Sequence, residues 1–430
     1  MSRVVVIGAG LAGLVAATRL AQGGARVVLV TKGTGGLPLS QGTIDILGYA
    51  PERVTRPLDA LAGFAAANPG HPYNLLDADA VRLGVAYLRE LAGPEVFVGD
   101  PEVNLQLPTA VGAIRPSAVV PAEMAAGACV DGARFLITGP GQLKDFHPQL
   151  IAENLARTQL PEGGRLAARW AQLDFPARPG ESDSTGLTFA RSLDDPAYRR
   201  RFAAAVRALV QPGETVGLPA VLGVSDASVL TDLTAQIGAP VFTIPLPPPS
   251  VPGVRLNNQL TAAAKAAGVR IIPGAKVIDH RSSNGRLLSV ISATAGTPRE
   301  YAADYFVQAT GGFESGALHL DSHNVVHETV FGLPLVGADI TELVHGDYWG
   351  PPQPLFKVGV GVDASMKVDG PYDNLYAVGG ILAGATRWQE KSGEGIAVAS
   401  AVRAADAVLA AIAATDQTPA RDDATQGAQA

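Results

Sequence analysis

Three stretches of the chain predict an α/β fold. The first, residues 4–30, reads as strand, glycine turn, helix and second strand. The second, residues 254–312, reads as helix, strand, hairpin and a strand ending on glycines. The third, residues 374–413, reads as strand, glycine pair, loop and long helix. In this order they compose a Rossmann-like dinucleotide-binding domain built from three sequence segments, with an inserted α+β cap. The predicted nucleotide-binding segments are 1–60, 251–316 and 356–414. The cap takes 61–250 and 317–355, and 415–430 reads as a disordered tail.

The first stretch is VVVIGAGLAGLVAATRLAQGGARVVLVTKG. Apolar residues 4–7 lead into Gly8-x-Gly10-x-x-Gly13. Gly8 permits the tight turn, Gly10 lets a pyrophosphate approach the backbone, and Gly13 lets helix and strand pack closely. The helix at 11–22 offers unpaired N–H groups and a positive dipole end, and it stops at Gly23-Gly24. The second strand, 27–30, ends where a ribose-binding acid is expected, and Thr31-Lys32 stands there instead. A threonine hydroxyl can accept one hydrogen bond, and a lysine can neutralise phosphate. This departure argues against an ordinary NAD site. Thr31-Lys32, followed by Ser40-Gln41-Gly42 in TKGTGGLPLSQGTIDIL, resembles the succinate dehydrogenase, fumarate reductase and aspartate oxidase flavoproteins. That resemblance implies a flavin nucleotide.

The second stretch opens with an amphipathic helix carrying Leu256, Leu260 and Ala264. A strand at 269–272, a hairpin at Ser283-Asn284-Gly285 and a strand ending in Ala309-Thr310-Gly311-Gly312 follow. Thr310 and Gly311 are expected beside the nucleotide. In the third stretch the strand 375–378 ends in Gly379-Gly380, and Gly393-x-Gly395 opens the long helix. In two-dinucleotide-domain flavoproteins such a helix points at the flavin pyrimidine, and its dipole favours negative charge there. Many of those proteins carry aspartate where Gly380 stands.

The inserts contain helical patterns at 77–91, 145–157 and 197–210. The proline-rich TIPLPPPSVPG, 243–253, reads as a stiff extended link back to the nucleotide domain. His319, His323, His327 and His345 are not at metal-ligand spacing on a helix, so no metal site is expected. A net charge of −7 gives no basic face for nucleic acid. The single cysteine, Cys129, excludes an internal disulfide and a cluster held by four thiolates of this chain. It fits a reduced, cytoplasmic setting. The apolar N-terminal run lacks a positive region before it and reads as the fingerprint strand, not a leader. Residues 395–414 are apolar, but Arg403 and Asp406 lie mid-span, which reads as a buried helix and no direct membrane span.

Further stretches carry a closer resemblance: LQLPTAVGAIRPS, VGLPAVLGVSD, PLPPPSVPGVRLNNQL, ATGGFESGAL, PQPLFKVGVGVDASMKV and NLYAVGGILAG. With GAGLAGL they make the chain resemble the B-subunit family of anaerobic glycerol-3-phosphate dehydrogenase over roughly residues 4–410. The resemblance implies oxidation of sn-glycerol 3-phosphate to dihydroxyacetone phosphate. Electrons would pass to quinone, with a catalytic flavin subunit and an iron–sulfur, membrane-anchoring subunit as partners. Any attachment at the inner face of the membrane would come through a partner. The resemblance implies FMN, whereas the glycine fingerprint serves a pyrophosphate and so implies FAD. Candidates for contacts to substrate or flavin phosphate are Arg255, Arg387 and Lys391, and His147 is a candidate base. The catalytic residues themselves stay unassigned. Two alternatives stand beside this reading. One is an independent oxidoreductase of the fumarate reductase or aspartate oxidase type. The other is a non-catalytic partner subunit that keeps the flavin fold.

Overall fold

The computed structural model describes residues 2–161, 163–339, 341–347 and 350–416. Strand β1 (Arg3–Ile7) leads through the glycine turn into helix α1 (Leu11–Gln22), and β2 (Arg26–Val30) follows. Helix α2 spans Ala78–Ala92, and α3 (Val251–Ala266) re-enters the domain. It is followed by β3 (Arg270–Ile272), β4 (Tyr305–Gln308), β5 (Leu375–Ala377) and α4 (Gly393–Asp416). The five strands form one parallel sheet in the order β3-β2-β1-β4-β5. Parallel strands are buried on both faces, which is why β1 and β2 read as unbroken apolar runs. Helix α1 packs on α3 and α4, and α4 packs on α2. Leu14, Leu29 and Phe306 are fully buried in the shared core, each worth about 1.5–3 kcal/mol on burial.

Two glycines of the fingerprint answer to packing. Gly8 has φ +112°, and a Cβ there would lie 2.2 Å from the Ala309 carbonyl oxygen. A Cβ on Gly13 would lie 2.0 Å from the Gly8 oxygen. The hairpin predicted at Ser283-Asn284-Gly285 joins Lys276–Ser283 to Arg286–Ala293, with both Asn284 and Gly285 at positive φ.

The insert differs from the expected α+β cap in one respect. Its main sheet is parallel, in the order Val241–Ile244, Thr215–Pro219, Arg134–Pro140, Ala167–Leu173. Helices Pro148–Arg157, Gly186–Asp194, Pro196–Arg207 and Val229–Ile237 lie in the crossovers, as parallel pairing demands. Two short antiparallel pairs lie within 97–121. Phe135, Phe202 and Phe242 belong to a core of the insert's own. The predicted boundary at residue 61 also moves. Leu61, Leu76, Val81, Leu88 and Phe97 pack into the nucleotide-domain core. On α2, Gly84 permits this packing: the helix lies so close to α4 that a Cβ there would lie 2.8 Å from the Ala399 nitrogen.

The predicted extended link 243–253 ends at Ser250. Ser250 caps α3 by accepting from the Gly253 N–H at 3.2 Å, and Pro252 sits in the first helical turn. Helix α4 is the one helix among the described residues long and apolar enough to cross a membrane. Both of its mid-span charges are paired inside the fold. Asp406 takes two hydrogen bonds from Arg19, at 2.6 and 2.9 Å, and Arg403 donates to the Leu75 carbonyl at 2.6 Å. His327 pairs with Asp321 at 2.9 Å, and His345 with Gln353 at 3.1 Å. The predicted tail lies outside the described residues from position 417 onward.

Candidate functional site

A crevice of about 400 Å³ opens at the carboxyl ends of β1, β2 and β4. Gly8, Gly10, Thr31, Lys32, Thr310 and Gly311 all line it, so six predicted residues meet in one place. Helix α1 starts at Gly10 without a side-chain cap, and no acid stands in its first turn. Its first N–H groups and positive dipole end are therefore left for an anion. A Cβ on Gly10 would meet none of the described residues within 4 Å. Unlike its two fingerprint neighbours, Gly10 faces open space. The Thr310 hydroxyl is buried and has no hydrogen-bond partner among the described residues. An open glycine, an uncapped helix start and an unpartnered hydroxyl suit a pyrophosphate-bearing nucleotide.

Thr31 does less than expected. Its hydroxyl donates to the Gly33 carbonyl at 2.5 Å, so its proton holds the turn. Lys32 Nζ donates to the Ser315 carbonyl at 3.2 Å and bridges the two walls of the crevice.

Ser40, Gln41 and Gly42 do not line the crevice. Ser40 Oγ donates to the Leu37 carbonyl at 2.9 Å and accepts from the Gly42 N–H at 3.2 Å, closing a local turn. Gly42 packs against Pro252 of α3. The Gln41 side-chain carbonyl accepts from Arg115. Arg115 also donates to Asp45 at 2.6 Å and to Thr43 at 2.9 Å, and Ser117 donates to Asp45 at 2.6 Å. This buried polar cluster was not singled out from the sequence. Arg115 lies in LQLPTAVGAIRPS and Asp45 in GTIDIL, but nothing in either run names its partner.

The same cluster reaches the start of α4. The Gly395 N–H donates to the Asp45 carbonyl at 2.9 Å. A Cβ on Gly395 would lie 2.8 Å from the Tyr73 hydroxyl and 3.0 Å from Ile46 Cα. At Gly395 the expected contact with a flavin pyrimidine is not open, because chain segment 45–46 already covers it. Gly393 is half-buried, and among the described residues only the Arg387 side chain is near the place a Cβ would take. Burial, with the nearby charge of Asp45, pushes the Glu394 carboxyl up to about 7. Burial and the neighbouring Arg115 lower the Lys391 ammonium, so that candidate belongs to this cluster too.

Gly379 lies under the crevice rather than in it. Its N–H donates to Ser400 Oγ at 3.0 Å, and its backbone approaches Ala12 of α1. Gly380 lines a second cavity of about 590 Å³, together with Gly312, Glu314, Phe356, Arg387 and Trp388. Glu314 lines both spaces and joins them. The guanidinium of Arg387 occupies the room a side chain at 380 would need. It also pairs with Glu314 at 3.3 Å. Arg387 is therefore the candidate cation that the fold brings to the site.

The loop carrying Arg387 is held from behind. His71 Nδ1 accepts from the Tyr73 N–H at 3.1 Å, so Nε2 bears the proton and faces Glu390 at 3.1 Å. Glu390 also accepts from the Thr386 N–H at 2.8 Å and from Ser392 Oγ at 2.9 Å. Burial alone would raise the Glu390 carboxyl, but the bonds from His71 and Thr386 more than offset it and hold it low.

Two other candidates lie elsewhere. Arg255 donates to the carbonyls of Leu222 at 2.7 Å and Gly223 at 3.1 Å, and it pairs with buried Glu123. It fastens α3 to the insert and lines neither of the two spaces. His147 is exposed at the start of helix Pro148–Arg157, in the insert and away from both spaces.

A family described as an FAD binding domain matches residues 3–396. The B subunit of a probable anaerobic glycerol-3-phosphate dehydrogenase of Halobacterium salinarum is 32% identical over 429 residues. That match covers 96% of this chain and 98% of the relative. The corresponding protein of Yersinia pestis bv. Antiqua is 30% identical over 434 residues, covering 96% and 99%. Among solved structures, a 3-ketosteroid Δ1-dehydrogenase from Sterolibacterium denitrificans covers 96% of this chain and 100% of its own. Its identity is 11% and its TM-score 0.44. With near-full-length identity of 30–32% and an FAD-binding match across all three nucleotide segments, the chain belongs to the family of anaerobic glycerol-3-phosphate dehydrogenase B subunits.

Proposed function

We propose that this chain is the FAD-binding B subunit of an anaerobic glycerol-3-phosphate dehydrogenase. It takes part in oxidising sn-glycerol 3-phosphate to dihydroxyacetone phosphate and passing the electrons to quinone. One observation carries the reading: an open pyrophosphate crevice joined, through Glu314, to a second cavity holding an arginine. FAD is favoured over FMN because Gly10 faces open space at an uncapped helix start, and because the crevice runs on past Thr31 to Lys276 and Val330. An adenosine diphosphate uses that length, and FMN has nothing to place there.

When bound, the flavin supplies the hydride acceptor. The chain supplies position and charge. The α1 start and Thr310 hold the pyrophosphate. Arg387 meets the substrate phosphate with a planar, permanently charged fork. Glu314, 3.3 Å from that guanidinium, offers Oε1 as acceptor for the proton of the substrate hydroxyl. With one cysteine in the chain, electrons leave through another subunit, as an iron–sulfur partner would require. Both mid-span charges of α4 are paired inside the fold, so attachment to a membrane falls to a partner.

The test starts on the purified chain. It is denatured, and the released chromophore is identified by absorbance and chromatography. FAD at one per chain is expected; FMN would overturn the cofactor assignment. The assembled complex is then assayed for glycerol-3-phosphate-dependent quinone reduction, with Arg387→Gln beside it. A large rise in KM for glycerol 3-phosphate is expected, and an unchanged KM would remove Arg387 from the substrate site. Failure to take up either flavin would leave a structural partner subunit.

A further inference from the structure

We propose that the flavin ring does not rest on the first turn of α4 but enters the second cavity, against an aromatic wall made by Trp388 and Phe356. The proposal rests on the FAD reading above. Three observations carry it. In the first turn of α4, Gly395 is closed by the chain itself, since its N–H is taken by the Asp45 carbonyl and Tyr73 and Ile46 lie against it. A planar ring cannot lie on Gly395. The second cavity, about 590 Å³, begins where the nucleotide crevice ends: Gly311 lines the crevice, Gly312 the cavity, and Glu314 both. A ligand laid along the crevice from its adenosine end therefore runs into this cavity. Gly312 and Gly380 line its floor, with the Glu314 carboxylate and the Arg387 guanidinium lying over them.

The third observation is the wall. Phe356 and Trp388 pack edge to face with centroids 6.1 Å apart. They are nonetheless 42% and 59% exposed, among the large apolar residues the fold leaves open. Aromatic faces left open in a cavity are suited to stack a flat ligand. The wall is also rigid. Trp388 lies on the short helix Arg387–Glu390, and Glu390 is fixed by His71, Thr386 and Ser392. A supported aromatic holds a ring in one pose.

The experiment reads the emission of bound FAD, using the full chain reconstituted with FAD and freed of excess. An indole in contact with the ring quenches flavin emission, and a phenyl group does not do so comparably. Wild type and Trp170→Phe, a change on the insert strand Ala167–Leu173, are expected to show equally weak emission. Trp388→Phe is expected to raise it several-fold at unchanged FAD content. Unchanged emission at full FAD content would overturn the proposal. Absence of bound FAD in wild type would overturn the FAD reading, and the chromophore count separates that failure from the first. If Trp388→Phe unfolds the chain, Phe356→Leu carries the test through the visible absorption band. A shifted band at constant FAD content supports the wall, and an unshifted band overturns it.

Discussion

Gly10 and Gly13 stand three positions apart, yet a methyl group would meet open space at one and the Gly8 oxygen at 2.0 Å at the other. Their substitutions should therefore separate binding from folding. Gly13→Ala is expected to cost about 3 kcal/mol or more in unfolding free energy. Gly10→Ala should stay within about 0.5 kcal/mol of wild type while losing FAD affinity, because its methyl enters the pyrophosphate space. Thermal melts and flavin titration check the two together. Glu394 adds a pH dependence. Its carboxyl is raised to about 7, first by burial and then by Asp45, so the folded chain holds that proton where the unfolded chain has lost it. Stability is full below the unfolded value near 4.5, falls as pH rises toward about 7, and stays reduced above it. Glu394→Gln should flatten that slope and, allowing for partial exposure, add about 1–2 kcal/mol at pH 8. Urea unfolding at pH 5 and pH 8 decides it. The fingerprint was legible in the sequence because a backbone that must turn or approach closely leaves a glycine behind. The Asp45–Arg115 pair was not, since its members lie 70 positions apart and neither run names its partner.

The nucleotide-domain elements show the same division. Strands β1 and β2 and helix α1 fall where period and caps placed them, and α2 is capped by Asp77, which accepts from the Ala80 N–H at 2.9 Å. The parallel pairing of the insert's strands was not legible, because pairing is set by partners distant in sequence. The α2–α4 crossing hangs on Gly84, an unremarked glycine inside a helical pattern. Gly84→Val should force the helices apart at a cost of about 1–3 kcal/mol, seen as a lower melting temperature. Because α4 leads directly from the loop that carries Arg387, FAD binding should weaken with it. An unchanged melt would mean that the crossing relaxes freely.

At the scale of the molecule, two α/β units share one chain, and Arg255 is a fastening between them. Arg255→Ala leaves Glu123 buried without its cation, which typically costs about 3–5 kcal/mol. Replacing both, Arg255→Met with Glu123→Met, should recover most of that loss. Flavin emission and far-UV circular dichroism followed against urea should coincide in wild type and separate in Arg255→Ala, as the two cores come undone at different concentrations. The strand order of the nucleotide sheet also sets an order of events at the ribosome. β1 and β2 are made first, but β4, β5 and α4 arrive more than half a chain later. The insert, whose strands lie between Arg134 and Ile244, is complete before its host can close. The nascent chain thus carries a finished unit above an unfinished sheet, with β1 waiting for β4. When α4 follows, Arg19 and Leu75 are already in place to receive its two charges, and its apolar face closes on surfaces that have stood open since synthesis began.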